Sequence, residues 1–164
     1  MLPKNIKIKL LVKAKKIFDE DDPSRDFILN NCALELEDGS IISGKNSDDN
    51  FLIKENVIDV FANKKVRWEG EDVGNEGFSP STREWDYDVS IDVIIFQYEG
   101  DNYFDAIVLP GTGGRHGKVT YKTKKAADLP GEPDDYWYTI VFTIFDENGN
   151  SKTFAIDPKL KIYK

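Results

Sequence analysis

Apolar and polar residues alternate along most of the chain. Ile6, Ile8, Leu10, Val12 and Ala14 fall on one side of an extended segment, and Lys7, Lys9, Lys13 and Lys15 on the other. Such alternation predicts a β-strand with one buried and one wet face. A lysine row on the wet face suits an edge strand, where charge discourages pairing with another molecule. Cys32, Leu34 and Leu36 alternate likewise, and Asp38-Gly39 predicts a tight hairpin into Ile41 and Ile42. Asp88 to Tyr98 is the strongest central strand: Val89, Ile91, Val93 and Ile95 share one face, and Ile94 and Phe96 fill the other. Tyr136 to Phe145 is apolar on both faces and therefore also central. Asn148-Gly149 turns it into Lys152 to Ile156, and Leu160 to Tyr163 forms the last strand.

Weaker signals fill the gaps. Extended segments are expected at Phe51 to Ala62, at Val66-Arg67-Trp68, from Tyr103 to Leu109 and from Lys118 to Thr123. Asp22-Pro23-Ser24 predicts one helical turn, with Asp22 as its cap and Pro23 first inside it. No stretch of period 3.6 is long enough for a substantial helix. Asn46 to Asn50 reads as a polar loop, and Glu69 to Trp85 as the longest loop. The expected fold is all-β: a single-domain antiparallel β-sandwich of nine or ten strands over residues 1–164.

Composition narrows the partners. A chain of 164 residues fits one domain, and its net charge is −8. General nucleic-acid binding is not expected of an acidic chain. The charge is blocked, however. Six lysines and no acid lie between Met1 and Phe18, and eleven acids against two bases between Val66 and Asp105. Five bases and no acid follow from Arg115 to Ala127, then six acids and no base from Asp128 to Glu147. Opposite blocks pair either across a sheet or between copies, the second giving a homo-oligomer that weakens with salt. No apolar run approaches a membrane helix or a signal-peptide core, so no membrane partner and a cytoplasmic location are expected. The lone Cys32 alternates with Leu34 and Leu36 and reads as a core thiol.

Candidate chemistry is sparse. Pro110 to Lys118 contains four glycines with Arg115, His116 and Lys118, groups that suit a phosphate or carboxylate. It lacks the Lys-Ser/Thr ending of a P-loop, so a β-connection is the plainer reading. His116 is the only histidine and sits among glycines, a poor mount for a catalytic base. No catalytic residue, metal or cofactor is assigned, and an enzyme is not expected. Asp146-Glu147-Asn148-Gly149-Asn150 opens like a calcium loop but carries Ser151 where glycine is needed. Aromatic and acidic residues mix at Arg83-Glu84-Trp85-Asp86-Tyr87-Asp88, beside the long loop, and again at Asp134-Asp135-Tyr136-Trp137-Tyr138, where Trp137 and Tyr138 read as core. Trp85, Asp86 and Asp88 therefore join Arg115, His116 and Lys118 as candidate ligand-binding residues, a glycan or calcium being the alternative partner.

Three features, two of them in the second half, resemble the AidA/PixA family of bacterial inclusion-body proteins. They are Val66-Arg67-Trp68 after the turn at Asn63-Lys64, Tyr87-Asp88-Val89-Ser90-Ile91 opening the strong central strand, and the closing Phe154-Ala155-Ile156-Asp157-Pro158-Lys159-Leu160-Lys161-Ile162. The resemblance implies a cytoplasmic β-sandwich without known catalytic activity, from bacteria that live with hosts. It points to a non-enzymatic accessory protein that self-associates.

Overall fold

A computed structural model describes residues 2–43, 52–78, 86–97, 102–131 and 135–164. Among these the alternating segments form eleven strands in two sheets, so the fold is β-rich as the pattern predicts. The first sheet holds β1 (Ile6–Val12), β2 (Cys32–Leu36), β3 (Ile41–Ser43), β5 (Lys65–Asp72) and β8 (Val119–Lys122), in the order β3-β2-β1-β5-β8. The second holds β4 (Val57–Phe61), β6 (Asp88–Phe96), β7 (Val108–Pro110), β9 (Tyr136–Phe145), β10 (Ser151–Ile156) and β11 (Lys159–Tyr163). Its order is β4-β11-β9-β6-β7, with β10 also paired to β9.

The sheets are mixed rather than antiparallel. β1 runs parallel to β5, and β4 parallel to β11. Both pairs join strands far apart in sequence, where a long crossover permits the parallel arrangement that a hairpin forbids. β1 is thus a central strand, not an edge. Its lysine row is explained by glutamates on both neighbours: Lys7 lies 3.1 Å from Glu69, and Lys9 3.3 Å from Glu71 and 3.8 Å from Glu35. Cross-strand pairing of opposite charge replaces edge protection as the reason for the pattern.

Several local expectations are revised. β1 stops at Val12, and Ala14 opens α1 (Ala14–Asp19), where Ala14 and Ile17 point inward at helical spacing. The helical turn expected at Asp22 to Ser24 starts later, as α2 (Arg25–Asn30). Ser24 is its cap, the hydroxyl accepting the Phe27 N–H at 3.1 Å, so Pro23 precedes the helix instead of starting it. Leu52–Glu55 forms a short helix, α3, before β4, because Leu-Ile-Lys-Glu lacks period two and favours helix. Tyr103 and Phe104 do not extend β7. The Asn102 side chain takes the Phe104 N–H and donates to Ala106 O, a turn that drops both rings into the core. The loop expected at Asn46 to Asn50 lies outside the described residues.

β6 carries the most informative departure. Its pairing with β9 shifts by one residue between Ile91 and Val93, a β-bulge at Asp92. Val89 and Ile91 point into the core before the bulge, and Ile94 and Phe96 after it. Val93 and Ile95 therefore face outward, although simple alternation places them with Val89. Asp92 is held by Ser90 Oγ at 3.2 Å and Thr143 Oγ1 at 2.5 Å.

Side chains from both sheets share one core. Ile8, Leu10, Leu34 and Trp68 of the first sheet meet Ile91, Ile94, Phe96, Tyr138, Ile140 and Phe142 of the second. Trp68 Nε1 donates to Tyr138 Oη at 3.2 Å across the interface, satisfying two buried polar groups at once. Burial pushes the Tyr138 phenol up. Cys32 is fully buried, and desolvation pushes its thiol up as well. That inertness fits its reading as a core residue.

Two contacts fix how the sheets meet. The buried carboxylate of Asp72, at the end of β5, accepts the N–H groups of Ala14, Gly74 and Tyr87 at 3.3, 3.1 and 3.3 Å. It thereby joins the end of β5 to the start of α1 and to the approach to β6. Beside it, Gly70 lies directly against Val89. A Cβ on residue 70 would stand 2.6 Å from Val89 Cγ1 and 2.7 Å from its carbonyl oxygen. Gly70→Ala is expected to force the two strands apart and lower unfolding stability by about 1–3 kcal/mol, read as a reduced urea midpoint with unchanged slope. Gly131→Ala, where a Cβ meets nothing within 4 Å, is the control and should leave the midpoint near wild type.

Candidate functional site

The glycine-rich segment that follows β7 crosses from the second sheet to β8 in the first. Its glycines answer to backbone crowding. A Cβ at Gly111 would sit 2.5 Å from Ile91 O, and one at Gly117 2.4 Å from Ser90 Oγ. Ile91 N–H donates to Gly117 O at 2.9 Å and Gly111 N–H to Asp92 O at 2.8 Å. The loop is thus laced onto β6 at its bulge, where displaced ladder groups need new partners.

Arg115 clamps this arrangement. Its Nε meets Asp88 Oδ2 at 2.6 Å, its Nη2 donates to Asp146 O at 2.8 Å, and its guanidinium lies 5.4 Å from the Phe145 ring centroid. His116 is largely exposed, with Nδ1 3.7 Å from Asp88 Oδ1. Lys118 Nζ lies 3.7 Å from Glu69. Asp88, Arg115, His116 and Lys118 are therefore brought together. Asp86 is exposed just before β6, and Trp85 lies outside the described residues.

Beside this cluster a cleft of about 290 Å³ is lined by Lys9, Glu69, Glu71, Val89, His116 and Lys118, together with Gly70 and Gly117. Lys9 and Lys118 face the two glutamates across it. Glu69 also holds Lys7 and, at 2.6 Å, Arg67 Nε. Burial works to raise its carboxyl, but the hydrogen bond and charge of Lys7, with the charges of Lys118 and Arg67, outweigh it and hold the group below its ordinary value. The cations that suggested an anion cradle are thus matched by carboxylates of this same chain. The calcium-like turn is used similarly. Asp146 accepts the N–H groups of Asn148 and Asn150 and the Asn150 amide, all within 2.9 Å, and closes the β9–β10 hairpin with Gly149 at φ 83°.

Sequence reasoning missed Asp72 and Glu69 as organising groups. Asp72 and Glu69 carry no motif, and the glycine-rich, polar composition from Glu69 to Trp85 predicts a loop, whereas β5 continues through Glu69 to Asp72.

The outer face of the second sheet is built differently. Ile95 is 37% and Val108 48% exposed, adjacent in the β6–β7 register. Val93 and Val141 pair beside them, half-buried on the same face. No family model matches the chain, and no curated protein matches it either.

The depressed Glu69 carboxyl fixes the sign of an acid effect. Its contribution to stability is complete above pH 4.5 and disappears as pH falls through its lower folded value. The melting temperature should therefore drop in acid. Glu69→Gln should melt lower than wild type at neutral pH and converge with it below that window; parallel curves would exclude the assignment.

Proposed function

We propose that the chain is a non-catalytic, self-assembling accessory protein of the AidA/PixA inclusion-body type, a single-domain β-sandwich acting in the cytoplasm. The main core shared by the two sheets supports the sandwich. The observation that carries assembly is the outer face of the second sheet, where Ile95, Val108, Val93 and Val141 form one apolar strip. A contiguous apolar patch on a sheet is an association surface, because burying it releases water. The occupant is a second copy of this chain. Among the described residues the first sheet's outer face differs: Lys7, Lys9, Arg67, Glu35, Glu69 and Glu71 are engaged with one another, and Leu11 and Ala33 are already buried with Val73.

That internal matching also changes the mode of association. Blocked charge alone suggests pairing between copies that weakens with salt, but much of the basic first strand is used within the first sheet. Assembly through the valine and isoleucine strip is instead expected to persist or strengthen as salt rises. Size-exclusion chromatography with light scattering should show a concentration-dependent oligomer at low and high salt. Ile95→Lys combined with Val108→Glu, an opposite-charge pair at facing positions, should give a monomer of nearly unchanged melting temperature, since both side chains are already partly solvated. A wild-type chain that stays monomeric at every concentration would overturn the reading.

A further inference from the structure

The other half of the same outer face has a different chemistry. Trp137 on β9 stands opposite Lys159 on β11, whose ammonium lies 4.3 Å from the indole ring centroid. Alternation along β11 sends Lys161 and Tyr163 to the same side, in register with Asp59 and Phe61 of β4. The Lys161 ammonium is 5.9 Å from the Tyr163 ring, and Phe61 supports that ring from 6.3 Å. Tyr163 is 43% exposed. A cavity of about 330 Å³ opens beside it, lined by Pro3, Asp59, Phe61, Tyr163 and Lys164.

These residues make a row of two aromatic platforms with hydrogen-bonding groups between and beside them. Four steps along β11 separate Lys159, Trp137's partner, from Tyr163, so the platforms stand on the order of 13 Å apart. That separation lies within the span of a short oligosaccharide. A sugar ring presents an apolar C–H face, which packs on an aromatic ring, and a rim of hydroxyls. The hydroxyls accept from ammonium groups and donate to carboxylates. Tyr and Trp supply such platforms at small cost in side-chain freedom.

Charge decides the class of sugar. Lys161 stands opposite Asp59 in the β11–β4 register, and the whole chain carries −8. A polyanion would meet repulsion from the molecule at large, whereas a neutral ligand would not. We infer that this strip binds a neutral oligosaccharide, with Tyr163 stacking on one sugar ring, Trp137 on another as the Lys159 ammonium swings from the indole face to a hydroxyl, and Lys161 and Asp59 holding further hydroxyls. The site is separate from the Ile95–Val108 strip and does not require assembly.

The test is calorimetric titration of the full chain with cellotetraose, maltotetraose, xylotetraose and mannotetraose. At least one should bind saturably, and Tyr163→Ala and Trp137→Ala should each weaken it at least tenfold. Asp59→Asn, which keeps the fold's packing, should weaken it several-fold if Trp137→Ala proves unstable. The monomeric Ile95→Lys, Val108→Glu variant should bind as wild type, which separates this site from the assembly reading. Silence from all four sugars at millimolar concentration would overturn the proposal, as would binding untouched by the Tyr163 and Asp59 changes. Binding confined to alginate or poly(U) and abolished by salt would overturn it too, because it would mark a polyanion site.

Discussion

Everything around the candidate cluster depends on how closely β5 can approach β6. At Gly70 the two strands are so near that one added methyl would overlap Val89 and its carbonyl. This approach brings Glu69 and Glu71 beside the start of β6, and it lets the loop after β7 lie against that strand as it crosses to β8. Asp72 reinforces the same junction by collecting three backbone N–H groups, those of Ala14 and Gly74 in buried hydrogen bonds. Steric fit and buried hydrogen bonding therefore act on one spot, from which the cleft and its charges take their shape.

The bulge at Asp92 is the second organising feature, and it works through phase. One extra residue in β6 reverses which side chains face the core. Ile94 and Phe96 turn inward to join Tyr138 and Phe104, while Val93 and Ile95 are presented outward. The apolar strip proposed for assembly thus exists because of the bulge. Without it, Val93 and Ile95 would be core residues and the outer face would carry Ile94 and Phe96. The displaced Asp92 is steadied by Ser90 and Thr143, and the backbone groups freed there are taken up by Gly111 and Gly117.

The two outer faces divide the molecule's surface chemistry. On the first sheet, lysines of β1 meet glutamates of β2 and β5, so formal charge is high but locally cancelled. On the second, one side is aliphatic and the other combines Trp137 and Tyr163 with lysines. β10 and β11 keep one register against β9 through Asp157-Pro158. Pro158 supplies only its carbonyl, to Tyr138 N–H, while Asp157 accepts Thr139 Oγ1 and pairs with Arg25 of α2. That continuity places the aromatic row and the aliphatic strip on one surface.

How much was legible in the linear chain follows from the range of each force. Period-two alternation is local, so β1, β2, β9, β10 and β11 and the hairpins at Asp38-Gly39 and Asn148-Gly149 could be read directly. The proximity of the glycine-rich loop to charged chemistry was also visible, because Arg115, His116 and Lys118 lie within it. Pairing partners were not, since nothing local tells β1 that its neighbours carry Glu35, Glu69 and Glu71. The sequence by itself determined a β-rich chain, its strong strands, its buried Cys32 and its blocked charge. Only the tertiary structure decided the parallel pairs, the reversal of phase at Asp92, the role of Asp72 and the close passage at Gly70. Each of those depends on contacts between residues far apart in the chain, where steric exclusion and the satisfaction of buried backbone groups outweigh local pattern.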